Sequence, residues 1–148
     1  MAPARVAPMQ QGSLDEIVRA EGEIYEFPWT RGNFADSMAA GYDCFELRAG
    51  APLIGYAVMM FSPGEAHLLN LSIISAMQRQ GYGAAFLRVL IECARARGAV
   101  RMLLEVRPSN DAARRLYGRA GFAGAGVRRS YYPARHGRED ALMLALDL

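Results

Sequence analysis

At 148 residues, 52% of them apolar, the chain is long enough to bury one core without disulfides or metal, and too apolar to be a disordered segment. Its net charge of +2 is too small to demand a nucleic-acid partner, and all 17 basic residues are Arg, so neither a lysine Schiff base nor a P-loop lysine is available. No stretch reaches the length of a membrane span, MAPARVAPMQ lacks the apolar region of a secretory signal, and Cys44 and Cys93 show no metal-ligand spacing, so the expectation is a cytoplasmic protein with two reduced core thiols.

In chain order, ARVAPM (4–9) reads as a short strand. SLDEIVRAEGEIYEF (13–27) reads as a helix, with Ser13 as N-cap and Glu16 three residues on as a capping box. FPWT (27–30) ends it, because the residue before a proline avoids helix. A second short helix follows Thr30 and stops near Gly41. Residues 42–49, 52–62 and 65–74 are three strands, with turns at Gly50–Ala51 and Pro63–Gly64 that suggest an antiparallel meander. A helix then carries Phe86, Leu87, Leu90, Ile91 and Ala94 on one face and Arg88, Glu92 and Arg95 on the other, with Gly98 closing it. VRMLLEV (100–106) is a strand, 110–120 a helix, and 123–129 and 141–146 are strands joined by the turn-rich YYPARHGRED. The fold class is α+β: one domain, a mixed, mostly antiparallel sheet, and about four helices.

QRQGYG (78–83) lies between a strand and a helix. Phe86 stands where a dinucleotide fingerprint needs its third glycine, and no lysine completes a P-loop. What remains is a turn whose Gly81 and Gly83 let backbone amides approach an anion at a helix N-terminus, with the charge of Arg79 beside them. An ordinary strand–helix turn would look the same.

The Q-x-x-G-x-G pattern resembles the acyl-CoA signature of the GCN5-related N-acetyltransferases. Together with EFPW (26–29), LLEVRPSN (103–110), ARRLYGRAGF (113–122) and RRSYYPARHGREDALMLAL (128–146), it makes nearly the whole chain similar to the ribosomal-protein-alanine (RimI-type) branch of that family. The resemblance implies a single acyl-CoA N-acyltransferase domain over residues 1–148. It implies acetyl-CoA as co-substrate without a metal, and the N-terminal alanine of a small-subunit ribosomal protein as acceptor, with no direct nucleic-acid or membrane partner. In such a domain Arg79, Gln80, Gly81, Tyr82, Gly83 and Ala84 hold the pyrophosphate. Leu71, Ser72 and Ile73 offer backbone groups to the pantetheine, their side chains mattering less, and Asn110 binds the same arm.

Acetyl transfer to an amine requires removal of a proton from nitrogen, donors for the charge that develops on oxygen, and a proton for the leaving thiolate. Glu105, between Leu104 and Val106, is the candidate base, with an ion pair to Arg101 or Arg107 as the plain alternative. Tyr117 is the candidate acid, or else a core tyrosine beside Leu116. Asn110 lies two turns before it on the same helix face, and an N-cap role is its alternative. Phe27, Pro28 and Trp29 on one side and Tyr131 and Tyr132 on the other are expected to wall the acceptor site, or to plug loop ends. Glu21, Glu23 and Glu26 are expected on a solvated helix face, and His67 and His136 receive no role.

Overall fold

The computed structural model describes residues 3–148; the first two positions of the expected domain lie outside the described residues. The residues form two compact units, one up to Met60 together with Leu69–Leu90, the other Phe61–Leu68 together with Ile91–Leu148. The seven strands follow the hydrogen-bonded order β1-β2-β3-β4-β5-β7-β6, numbered along the chain.

The first unit begins with β1 (Ala4–Pro8), antiparallel to β2 (Asp43–Ala49), which is antiparallel in turn to β3 (Leu53–Ser62). Between β1 and β2 lie α1 (Leu14–Ile24) and α2 (Arg31–Ala39). One face of α1 buries Leu14, Ile17 and Ala20 against Phe34, Cys44, Leu53, Tyr56 and Val58. The 3.6-residue period of its apolar positions puts them there. Trp29 stacks on Phe34, and Phe34 meets Tyr56 edge-on. The expected capping box at Ser13 does not form. Ser13 closes a turn of 3₁₀ helix and takes a hydrogen bond from Arg48, while Glu16 pairs with the same Arg48 at 2.8 Å. The box occurs instead at α2, where Thr30 Oγ1 accepts from the Asn33 amide and Asn33 Oδ1 accepts from the Thr30 amide. Helix α1 also ends earlier than expected: Tyr25 turns extended and carries its hydroxyl to the next strand.

That strand is β4 (Glu65–Ile73). Its approach to β3 depends on Gly55, where a Cβ would overlap the Ser72 carbonyl oxygen and lie 2.8 Å from Cδ1 of Ile73. After β4 a 3₁₀ turn leads into α3 (Tyr82–Ala96), which buries Phe86, Leu87, Leu90, Ile91 and Ala94 as its pattern requires. Strands β3 and β4 and helix α3 contribute residues to both units.

In the second unit, β5 (Arg101–Val106) runs parallel to β4, with Glu65–Leu68 opposite Arg101–Leu104. It alternates buried Met102, Leu104 and Val106 with half-buried Arg101, Leu103 and Glu105. After α4 (Asp111–Arg119), β6 (Ala123–Pro133) and β7 (Arg138–Asp147) form a long antiparallel pair, with β7 beside β5. The connection expected across YYPARHGRED shrinks to Ala134–Gly137, closed by a bond from the Ala134 amide to the Gly137 carbonyl. The two tyrosines extend the strand instead, and Tyr132 pairs with Glu139. Cys44 is buried as expected, and Cys93 only partly.

Candidate active site

Two polar constellations stand out, one in each unit. In the first, Glu21 on α1 is 2% exposed, so it is not part of a solvated face. The Tyr56 hydroxyl donates to its Oε1 at 2.7 Å, Asn70 Nδ2 to the same oxygen at 3.3 Å, and the Trp29 amide to Oε2 at 2.9 Å. The chain continues through Ser72, whose hydroxyl donates to Asn70 Oδ1 at 2.7 Å and lies 2.6 Å from the Tyr25 hydroxyl. Burial pushes Tyr25 up to about 12 and drives Tyr56 upward as well, so both phenols keep their protons. The network ties the segment after α1, with Trp29, to β3 and β4. Within 71–73 the Ser72 side chain is the buried one, while Leu71 and Ile73 are only half-buried. Phe27 is exposed, whereas Trp29 is partly buried on the Phe34 core, closer to a plug than to a free wall.

The glycine turn has a left-handed backbone at Arg79 (φ 61) and Gly81 (φ 86). Gln78 Nε2 holds the Ile73 carbonyl and Gln80 Nε2 the Ala76 carbonyl, which fixes the entry to α3. The Ala85 amide bonds the Gly81 carbonyl. The amides of Tyr82, Gly83 and Ala84 therefore occupy the first turn, where a helix supplies no acceptor four residues back. No Cβ-sized obstacle lies within 4 Å of Gly81. A turn so built fits an anion such as a pyrophosphate.

In the second unit Glu105, its side chain 9% exposed, sits at the centre of the other constellation. Arg128 Nε on β6 approaches Glu105 Oε1 at 3.1 Å, and His67 Nε2 on β4 approaches the same oxygen at 3.8 Å. Of the two arginines expected beside it, Arg101 pairs with Glu65 and Arg107 with Glu139. The Tyr131 hydroxyl also donates to Glu105; burial and then that carboxylate raise its pKa, and the same two causes push Tyr132 up to about 12. The rings of Tyr131 and Tyr132 pack edge to face at 5.0 Å, with the Arg128 guanidinium over the first and Arg107 over the second.

A bulge between Arg128 and Tyr132 creates this arrangement. Ser130 is left-handed (φ 51) and its amide is held by Asp140, Arg138 Nη1 holds the Tyr131 carbonyl, and Arg107 Nη1 holds that of Pro133. The Tyr117 ring is buried against Phe122, and Asn110 caps α4 through Oδ1 to the Ala113 amide. The cap role considered for Asn110 is thus real. Burial, and then the neighbouring Asp43, push the Cys44 thiol up to about 11, which makes it a poor nucleophile. Among the described residues no group of three or more His, Cys, Asp or Glu side chains is placed to hold a metal ion.

Sequence reasoning missed Arg128, His67 and the Glu21 network. The register of the parallel pair brings His67 beside Glu105, and the bulge aims Arg128; neither is written in local periodicity.

The model of the Acetyltransferase (GNAT) family matches residues 14–122. The chain is 36% identical over 143 residues to the [ribosomal protein bS18]-alanine N-acetyltransferase of Escherichia coli K12, covering 97% of both, and 37% identical over 136 residues to that of Haemophilus ducreyi, covering 91% of this chain and 94% of the relative. The crystal structure of the ribosomal-protein-S18-alanine N-acetyltransferase from Escherichia coli superimposes with a TM-score of 0.90 at 35% identity, covering 98% of this chain and 94% of that one.

Proposed function

The chain belongs to the acetyltransferase (GNAT) family and is an acetyl-CoA-dependent N-acetyltransferase, and from that premise we propose that its acceptor is the N-terminal α-amine of the small-subunit ribosomal protein bS18, carried on alanine. The whole described chain serves as one acyl-CoA N-acyltransferase domain, acting in the cytoplasm. The observation that carries the reading is the Glu105 carboxylate, nearly buried yet ringed by polar groups on a braced bulge. Identity across almost the full length of an enzyme of that name supports the choice of acceptor.

The bound coenzyme supplies the acetyl group. Arg79 and the backbone of Gln80–Ala84 hold its pyrophosphate, the backbone of Leu71–Ile73 its pantetheine, and Asn110, through the amide nitrogen left free by its cap bond, the same arm. Glu105 removes a proton from the acceptor nitrogen, since an α-amine with a pKa near 8 is largely protonated at neutral pH. Tyr117 donates the proton that the departing thiolate needs. Tyr131 and Tyr132 line the acceptor path from β6, and Phe27 does so from the segment before α2, backed by Trp29 on the Phe34 core.

The test is mass spectrometry of a peptide beginning Ala-Arg, incubated with enzyme and acetyl-CoA beside a lysine-bearing peptide whose N-terminus is blocked. One acetyl group gained by the first peptide alone is the expected result. Acetylation of the blocked peptide, or of neither while small amines are turned over, would overturn the choice of acceptor.

A further inference from the structure

Acetylation of an ammonium group releases one proton per turnover. The nitrogen gives up two protons, one ends on the coenzyme thiol, and the other must reach solvent. If Glu105 takes that second proton, its 9% exposed side chain must pass it on before the next cycle. Its neighbours differ sharply in their fitness for this. Arg128 Nε lies against Glu105 Oε1 at 3.1 Å as a donor and offers that oxygen no acceptor. The Tyr131 and Tyr132 hydroxyls are raised and hold their protons. His67 carries an imidazole, whose ring nitrogens can both accept and donate a proton, and its side chain is 25% exposed.

We propose that His67 is the proton exit of the enzyme, taking the proton from Glu105 through Nε2 and releasing it to solvent. The inference rests on Glu105 being the base. The geometry is set by the sheet. His67 pairs with Leu103 in the parallel β4–β5 register, so Glu105, two residues further on, shares its face. The separation of 3.8 Å is longer than a direct hydrogen bond, a distance that one bridging water or a small rotation of the imidazole closes. Proton balance is complete. Glu105 gains one proton from nitrogen and loses it to Nε2, the imidazolium loses one to water, and the nitrogen's other proton replaces the one that Tyr117 gives to the thiolate, so all three groups return to their starting forms.

The other charged groups on these elements are committed elsewhere or fixed. Glu65, on the face of His67, pairs with Arg101 at 3.7 Å, and Asp147 of β7 lies opposite Arg101. Arg107 pairs with Glu139, and Arg128 faces Glu105 from β6. Against the apolar environment of β5, His67 is the titratable group with both an acceptor nitrogen near Glu105 and access to water.

The decisive experiment compares His67→Ala and His67→Gln with the parent protein, measuring kcat and KM across pH, with and without added imidazole. The expected result is a fall in kcat of about tenfold or more, KM for acetyl-CoA unchanged, and recovery of His67→Ala by imidazole as its neutral form becomes abundant. A wild-type kcat and pH profile in both variants would overturn the proposal, as would a loss that imidazole does not restore. Glu105→Gln separates the two levels. If it is slow while His67→Ala turns over normally, only the exit fails; if Glu105→Gln keeps the parental rate, the base assignment fails and the exit with it.

Discussion

Glu21 and Glu105 are both carboxylates withdrawn from water, and they are withdrawn in opposite ways. Glu21 accepts from three neutral donors, a phenol, an amide side chain and a backbone N–H. Glu105 on β5 faces a guanidinium, an imidazole and a phenol, and the Arg128 side chain that reaches it from the bulged strand β6 is itself half exposed. The first arrangement satisfies every lone pair it can and joins α1, β3 and β4. The second leaves its carboxylate with partners that an incoming amine can replace. Burial alone therefore does not distinguish a structural carboxylate from a reactive one. The exchangeability of its partners does.

The widest separation between the two sites comes from removing each acid in turn. Glu105→Gln is expected to lower kcat by about 10²–10⁴ in steady-state assays, with the thermal midpoint nearly unchanged. Glu21→Ala reverses the pattern. Stripping the acceptor from Tyr56, Asn70 and the Trp29 amide is expected to cost about 3–5 kcal/mol in urea unfolding, while activity per folded molecule stays within a few-fold. A Glu21→Ala protein of parental stability and no activity would break the comparison outright.

A smaller loss tests how closely β3 and β4 are held in the first unit. Gly55→Ala pushes a methyl against the Ser72 carbonyl and is expected to cost about 1–3 kcal/mol, read by calorimetry, and to weaken acetyl-CoA binding through the backbone of 71–73. The smallest effect belongs to Glu46. Burial pushes its carboxyl up, but bonds from Arg48, Ser13 and the Gln10 amide outweigh this and hold it below its ordinary 4.5. The folded state then binds fewer protons than the unfolded one. The stabilisation is fully present above the unfolded value and is lost as pH falls through the folded one. Glu46→Gln is expected to flatten the acid limb of the stability profile as pH falls below the ordinary 4.5 of the carboxyl, measured by urea midpoints.

The order of elements was legible because it rests on short-range signals. Apolar spacing set the buried face of α3, Thr30 marked the start of α2, and Gly41 and Gly98, both left-handed, marked helix ends. Ser13 misled because a side chain that caps must be free to turn back, and this one is engaged by Arg48, 35 residues away. Glu21 misled for a related reason. Its partners Tyr56 and Asn70 lie on other strands, and a glutamate in a helix of mixed composition reads as solvated until they are in place. In the second unit, Glu105 was visible as a lone acid in an apolar strand, whereas Arg128 and His67 were not. The left-handed Ser130 carries no glycine to announce the bulge, and strand pairing is a property of two segments at once.

Strand β6 ends the strand order, so along one side its backbone faces no further strand among the described residues. Such a rim is a template on which a second molecule can extend the sheet. Here the rim is interrupted by the bulge, carries adjacent charges at Arg128 and Arg129, and stops at Pro133, which has no N–H to offer. The irregularity that presents Arg128 to Glu105 is also of the kind that discourages edge-to-edge pairing between copies. Straightening it to gain stability would trade solubility as well as catalysis, and added salt would weaken the arginine guard while leaving the kink and the proline in force.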